Sequence, residues 1–322
     1  MTTTSTTHFS SPNQAALECP ICGNTHANKS LRFEEKMFAM GEHFDYIDCA
    51  QCAAISIAHE PLDLSKYYPP ASYYSVSVKA GFRARLKHVR NLAYTARYPG
   101  ASLVRKYLPN TAVETTLLDT RGNLDCRVLD VGCGDGELVN ALARLGLRRL
   151  TGVDPLASGH DEQNGVTLVR GTLSDVTGAY DLITFHHSLE HVRTPAAVLS
   201  QANKLLAQGG QVLVRIPTRD SLAYQTYGPN WFQIDAPRHM CLHSRQSITL
   251  VAFQAGLKVV SIECDSQPMQ FWASEMYQAG LSLHASEQKK YRSRNRSLYR
   301  ELAAFANKNG VGDQLVIRLA RI

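Results

Sequence analysis

No stretch of the sequence runs to some 18 apolar residues, so no transmembrane helix is expected. The first 17 residues, rich in Thr and Ser, have neither a basic start nor an apolar centre. They do not read as a secretion signal and are expected to form a disordered tail on a cytoplasmic protein. No internal repeat is visible. A strong excess of one charge is also missing: a formal +6 over 322 residues is mild and gives little support for an acidic partner. With 44% hydrophobic residues the chain is long enough for one large domain with an appendage, or for two domains.

Cysteine is not scarce. There are eight, and without a secretion signal their spacing says more than their number. Cys19-Pro-Ile-Cys22 and Cys49-Ala-Gln-Cys52 form two C-x2-C pairs separated by 26 residues. Each pair suits a turn that aims two thiolates at one metal, and two such turns close a tetrahedral site. The expectation is a structural Zn2+ on Cys19, Cys22, Cys49 and Cys52, within a zinc ribbon at 18–60 that relies on the metal to stay folded. Short strands such as Phe44–Asp48 lie between the knuckles. Cys126, Cys133 and Cys264 read as small core residues.

The most informative stretch is Val128-Leu129-Asp130-Val131-Gly132-Cys133-Gly134-Asp135-Gly136. An apolar strand enters alternating glycines, and an amphipathic helix follows with Leu138, Leu142 and Leu145 on one face. The glycines allow a sharp turn and close approach of a ligand. The spacing departs from the dinucleotide G-x-G-x-x-G, and an aspartate leads the loop. A carboxylate there repels a pyrophosphate and suits an ammonium-bearing ligand, which indicates S-adenosyl-L-methionine (SAM). Leu150–Asp154 reads as the next strand and ends in an acid 24 residues after Asp130, placed to accept from ribose hydroxyls.

With Asp181–Val192 and Gly209–Val214, these residues resemble the class I SAM-dependent methyltransferases. The resemblance implies an α/β Rossmann-like fold: a mostly parallel sheet with an antiparallel last strand, placed here at Gly312–Leu319. The expected organisation is an aromatic and basic helical connector at 61–120, with helix over 79–108, and a methyltransferase domain at 121–322. A helical insertion at 265–311 precedes the last strand. Its apolar stripe (Met269, Phe271, Trp272, Met276, Tyr277, Leu281) reads first as core, and is also compatible with a cover over the site.

The resemblance implies that Asp130, Gly132 and Gly134 hold the methionine end of SAM and Asp154 its ribose. Thr172, or a backbone carbonyl beside it, stands where many relatives place an adenine-binding Asp. His186, at the end of the fourth strand, is expected beside the methionine moiety. The acceptor side falls on Trp231–Ser244, with Ser244 as N-cap of the next helix. This loop, together with the four cysteines, resembles zinc-ribbon methyltransferases of bacterial glycan and secondary-metabolite pathways, and more distantly ubiquinone-biosynthesis O-methyltransferases. A hydroxyl acceptor must lose a proton, and histidine suits that task near neutral pH. His239 is the candidate base, with His243 and His191 in reserve. Arg238 is open to a substrate phosphate or to an acid of the protein itself. Cys241, in the same loop, is near the proposed active site.

The expected reaction is therefore O-methylation of a hydroxyl on a sugar, a glycan precursor or a related metabolite. Sugar C-methylation ranks lower, because only residues 265–311 separate the last two strands where such relatives carry a large domain. RNA modification also ranks lower. The basic stretches at 79–106 and 289–300 are available, but the end of the fourth strand lacks the Asn/Asp-Pro-Pro-aromatic pattern of base-amine methyltransferases. Those charges read as solvated helix faces, with contact to an anionic membrane as the other reading.

Overall fold

The computed structural model describes residues 17–69, 111–157, 161–163 and 165–322. Most of the expected tail and the basic helix expected at 79–108 lie outside the described residues.

An eight-stranded sheet forms the centre. Its strands are β4 (Arg127–Val131), β5 (Arg149–Asp154), β6 (Asp161–Gln163), β7 (Val166–Arg170), β8 (Tyr180–His186), β9 (Leu206–Pro217), β11 (Leu257–Cys264) and β12 (Gln314–Arg321), in the order β11-β12-β9-β8-β4-β5-β7-β6. The inner pairs β8–β9, β4–β8, β4–β5 and β5–β7 are parallel, whereas β12 runs antiparallel to both β9 and β11. The short β6 adds an antiparallel edge on β7. The chain steps outward from β4 through β5 to β7, then returns to lay β8 on the other side of β4. Strand order thus reverses at β4, and ligands of open α/β sheets bind at the carboxyl ends of strands at such a point.

Alternation along the strands sends side chains to two cores. Val128, Leu182 and Leu213 join one, with Val113 of α1 (Thr111–Asp119) and Val139 and Leu142 of α2 (Glu137–Arg144). Leu129, Ile183 and Val212 join the other, with Leu199 of α3 (Pro195–Leu205) and Ile248 and Val251 of α5 (Arg245–Gln254). Helices therefore cover both faces, which is why the parallel strands read as continuous apolar runs. Ser244 caps α5 as its sequence suggested, accepting from the Ser247 N–H at 2.9 Å.

The N-terminal segment forms a second, antiparallel sheet of β1 (Lys29–Glu34), β2 (His43–Asp48) and β3 (Ile55–Ile57). Its fourth strand, β10 (Cys241–Leu242), comes from the loop after β9 and α4 (Leu222–Tyr227). Between β11 and β12 lie α6 (Met269–Gln278), α7 (Gln288–Arg294) and α8 (Arg296–Lys308). Their apolar stripe is core: Phe271, Trp272, Met276 and Tyr277 are buried with Met37 of the N-terminal segment.

Candidate active site

On the donor side, the loop after β4 sits at the strand reversal. Gly132 has φ +78°, and a Cβ there would lie 2.4 Å from the Ser188 Cβ, so only glycine lets the two loops approach. Ser188 secures that approach by donating to the Val131 carbonyl at 2.6 Å. Asp130 is buried and accepts from the Thr184 hydroxyl at 2.7 Å; burial pushes its carboxyl up to about 7. A cation bound beside it favours the ionised form. Asp154 accepts from Gly134 N at 3.0 Å through Oδ2 and from Leu156 N at 2.7 Å through Oδ1. An ionised carboxylate offers about four acceptor positions, so both oxygens keep capacity for vicinal hydroxyls. Thr172 points its hydroxyl and its N–H at Asp175, at 3.1 and 2.7 Å.

His186 faces α1, where its Nε2 lies 3.0 Å from the Thr116 hydroxyl, and burial holds its pKa well below the usual range. Its Nδ1 is buried without a hydrogen-bond partner among the described residues. It is therefore a neutral ring beneath α1.

On the acceptor side, the structure brings His191 and His239 together, with ring centroids 4.8 Å apart. Each ring donates its Nδ1 proton to a backbone carbonyl that can only accept: His239 to Gln233 O at 2.7 Å and His191 to Arg238 O at 2.8 Å. In the neutral ring this tautomer presents Nε2 as an acceptor. Around His239 Nε2 stand two carboxylates, Asp235 Oδ2 at 3.8 Å and Glu190 Oε1 at 4.0 Å. Burial pushes His239 down to about 4, against the pull of Asp235. Burial works equally against the charge on Glu190, yet His187, His191 and His239 together hold its carboxyl down at about 2. The role of His187 was not visible in the sequence. Its Nδ1 lies 3.2 Å from Glu190 Oε1 and its Nε2 2.9 Å from Gln314 Nε2, so the amide donates to one nitrogen and the other donates to Glu190.

His243 feels the same carboxylate, Glu190, whose charge pulls against its burial. It is fully buried, with Nδ1 3.0 Å from the Ser247 hydroxyl, and burial lowers it to about 4. Of the two readings of Arg238, the structure selects the protein's own acids. Its guanidinium is fully buried, bonds both oxygens of Asp235 through Nε at 3.0 Å, and reaches Glu35 through Nη2 at 2.7 Å. Nη1 donates to Tyr67 O, and the guanidinium carbon lies 5.2 Å from the Phe38 ring centroid. Four of its five N–H donors are spent on the protein and the group is fully buried, out of reach of a substrate phosphate.

Cys19, Cys22, Cys49 and Cys52 converge, with the four sulfurs within 4.8 Å of one another. Cys241, by contrast, is a buried thiol that accepts from Ser56 at 3.5 Å.

A mostly parallel sheet that reverses at its glycine loop, closed by an antiparallel strand between β9 and β11, defines a Rossmann-like fold of the methyltransferase type. Residues 92–262, more than half of the chain, match the family described as "Methyltransferase domain", and the chain belongs to that family. It is 34% identical over 110 residues to the ubiquinone biosynthesis O-methyltransferase of Pseudomonas aeruginosa (strain UCBPP-PA14), covering 30% of this chain and 47% of that one. The corresponding enzyme of Psychrobacter arcticus is 38% identical over 112 residues, covering 30% of this chain and 43% of that one. The chain thus spans about half the length of the curated relatives it matches. A solved S-adenosylmethionine-dependent methyltransferase from Mesorhizobium loti shares 16% identity over 65% of this chain and 98% of that chain, with a TM-score of 0.41. No helix among the described residues is long and apolar enough to cross a membrane.

Proposed function

We propose that the chain is a SAM-dependent O-methyltransferase for a small-molecule hydroxyl, with His239 as general base. The carrying observation is the hydrogen bond from His239 Nδ1 to the Gln233 carbonyl, which leaves Nε2 as a proton acceptor between Glu190 and Asp235. SAM supplies an electrophilic methyl carbon on a sulfonium leaving group. As the acceptor oxygen bonds to that carbon and the carbon–sulfur bond breaks, His239 Nε2 takes the hydroxyl proton. The two carboxylates stabilise the imidazolium that forms. The protein's other task is alignment of the in-line displacement.

The acidity of the base refines the acceptor. A histidine held down at about 4 is a weak base, and transfer to it is least uphill from an acidic hydroxyl. A phenolic hydroxyl, near about 10 in tyrosine, fits better than the far less acidic hydroxyl of a sugar. The reading therefore moves from the sugar expected from sequence toward a phenol, in keeping with the O-methyltransferases among the relatives. Incubation with methyl-labelled SAM and a catechol or a nucleotide-linked sugar tests it. Label on the phenolic oxygen supports the assignment; label on the sugar alone overturns it.

One observation favours a second reading of the same residues. Glu190, His191 and His239 each offer a ligand atom within 4.8 Å of the others, and Glu190 Oε2 is buried without a partner. A divalent cation there would acidify the acceptor directly. A rate that climbs with added Mg2+ or Mn2+ favours the cation, whereas a rate indifferent to them favours the base.

The four cysteines fit a structural zinc. Thiolates at about 2.3 Å from a tetrahedral zinc stand about 3.8 Å apart. Here Cys19 and Cys52 are separated by 3.7 Å and Cys22 and Cys49 by 3.5 Å. Purified protein is expected to carry one zinc per chain, lost in Cys19→Ser; metal-free native protein rejects the assignment.

A further inference from the structure

We infer that the four-cysteine module is the positioning element of the acceptor-side histidines, with Tyr46 and Glu35 carrying its hold to His239. This rests on the reading of His239 as the proton acceptor. Residues 235–244 have little regular structure of their own beyond the two-residue β10. The module grips them at successive points. The Tyr46 hydroxyl, fully buried, donates to the His239 carbonyl at 2.9 Å. Ile57 N donates to Met240 O at 2.8 Å, and β3 pairs with β10 through Ser56–Cys241 and Ile55–Leu242. Ser244 donates to the carbonyl of Cys52, itself one of the clustered cysteines, at 2.7 Å.

The electrostatic link is more direct. Glu35 and Arg238 are both fully buried and 2.7 Å apart, and Arg238 in turn bonds Asp235 at 2.6 Å. Asp235 is one of the two carboxylates beside His239 Nε2. Removing one partner from a buried ion pair leaves the other charge uncompensated, so the chain Glu35–Arg238–Asp235 holds together or shifts together. His191 belongs to the same assembly, because its Nδ1 rests on Arg238 O and lies 3.2 Å from the hydroxyl of Tyr68. The donor side is built differently. Asp130 is held by Thr184, Asp154 by Gly134 and Leu156, and Thr172 by Asp175, all from loops and strands of the large sheet. The module's hydrogen bonds thus reach the histidine half of the site, whereas those that hold Asp130, Asp154 and Thr172 come from the large sheet. A misplacement of about 1 Å is enough to cost about 100-fold in rate, so this hold has a kinetic consequence.

Tyr46→Phe and Glu35→Gln test the inference, since both keep side-chain volume. In each variant kcat is expected to fall tenfold or more, while the affinity for S-adenosylhomocysteine measured by calorimetry stays within about twofold. In 15N-histidine spectra, the Nδ1–H signals of His239 and His191 should shift or broaden in both variants. Unchanged kcat and unchanged histidine signals in both variants overturn the inference. So does a loss of S-adenosylhomocysteine binding in step with kcat, which makes the module a general scaffold. A fully active His239→Ala enzyme would remove the base reading instead, and the histidine spectra of Tyr46→Phe would still report whether the module orders the loop.

Discussion

Replacing Asp154 with alanine is expected to weaken S-adenosylhomocysteine binding by at least about 100-fold, measured by calorimetry. Each of its oxygens already accepts one backbone N–H, and each keeps a lone pair for a ribose hydroxyl. Hydrogen bonds to a charged group contribute about 1.5–3 kcal/mol each, so loss of two corresponds to roughly 10²- to 10⁴-fold in affinity. A second loss adds to the first. Gly134 N belongs to the glycine loop, and without Asp154 it loses its hydrogen-bond partner. Asp154→Asn keeps one oxygen and most of the volume, and is expected to fall between alanine and the native protein. Both variants should leave the sheet intact, because Asp154 stands at the end of β5 and not within either core. Native affinity in Asp154→Ala would refute the ribose assignment.

The place of the glycine loop at the strand reversal was legible in the sequence because its determinants are local. Asp130, Gly132, Gly134 and Asp154 lie within two consecutive strand ends, and the strand–loop–helix pattern fixes where they point. The mostly parallel sheet with its antiparallel last strand followed from alternation and from the resemblance, although the three-residue β6 carries too short a pattern to be read. The acceptor half was legible only as a list of residues. His191 and His239 were both named from their loops, but that the rings meet depends on a contact across 48 positions of sequence. Arg238 was ambiguous for the same reason: its partner Glu35 lies in the N-terminal module, and no local pattern joins the two. His243 resembles His239 in composition and neighbourhood along the chain. β10 turns it into the interior, and a two-residue strand formed by pairing with a distant segment leaves no periodic signature. His187 escaped notice because its contribution is to hold Glu190 charged, and a lone histidine beside another gives no hint of that.

His239→Ala is expected to lower kcat by about 10²- to 10⁴-fold, the range for loss of a positioned general base, with S-adenosylhomocysteine affinity unchanged. His243→Ala serves as the contrast. That ring is fully buried with its Nδ1 held by the Ser247 hydroxyl, so its removal should act on stability more than on the chemical step. The pH profile gives an independent check. His239 must be neutral at Nε2 to accept a proton, so kcat/KM falls as pH drops through its pKa and not as pH rises. Burial pushes that pKa down to about 4, about two and a half units below an ordinary histidine. The acidic limb should therefore lie near pH 4, with a flat profile from about pH 6 upward, and recovery of activity on return to neutral pH separates it from acid unfolding. In Glu190→Gln one of the two flanking carboxylates is gone, so the imidazolium loses support and the limb moves lower still while kcat falls. A limb near 6.5 would place the catalytic proton on a solvent-exposed histidine, and that outcome would remove His239 from the role.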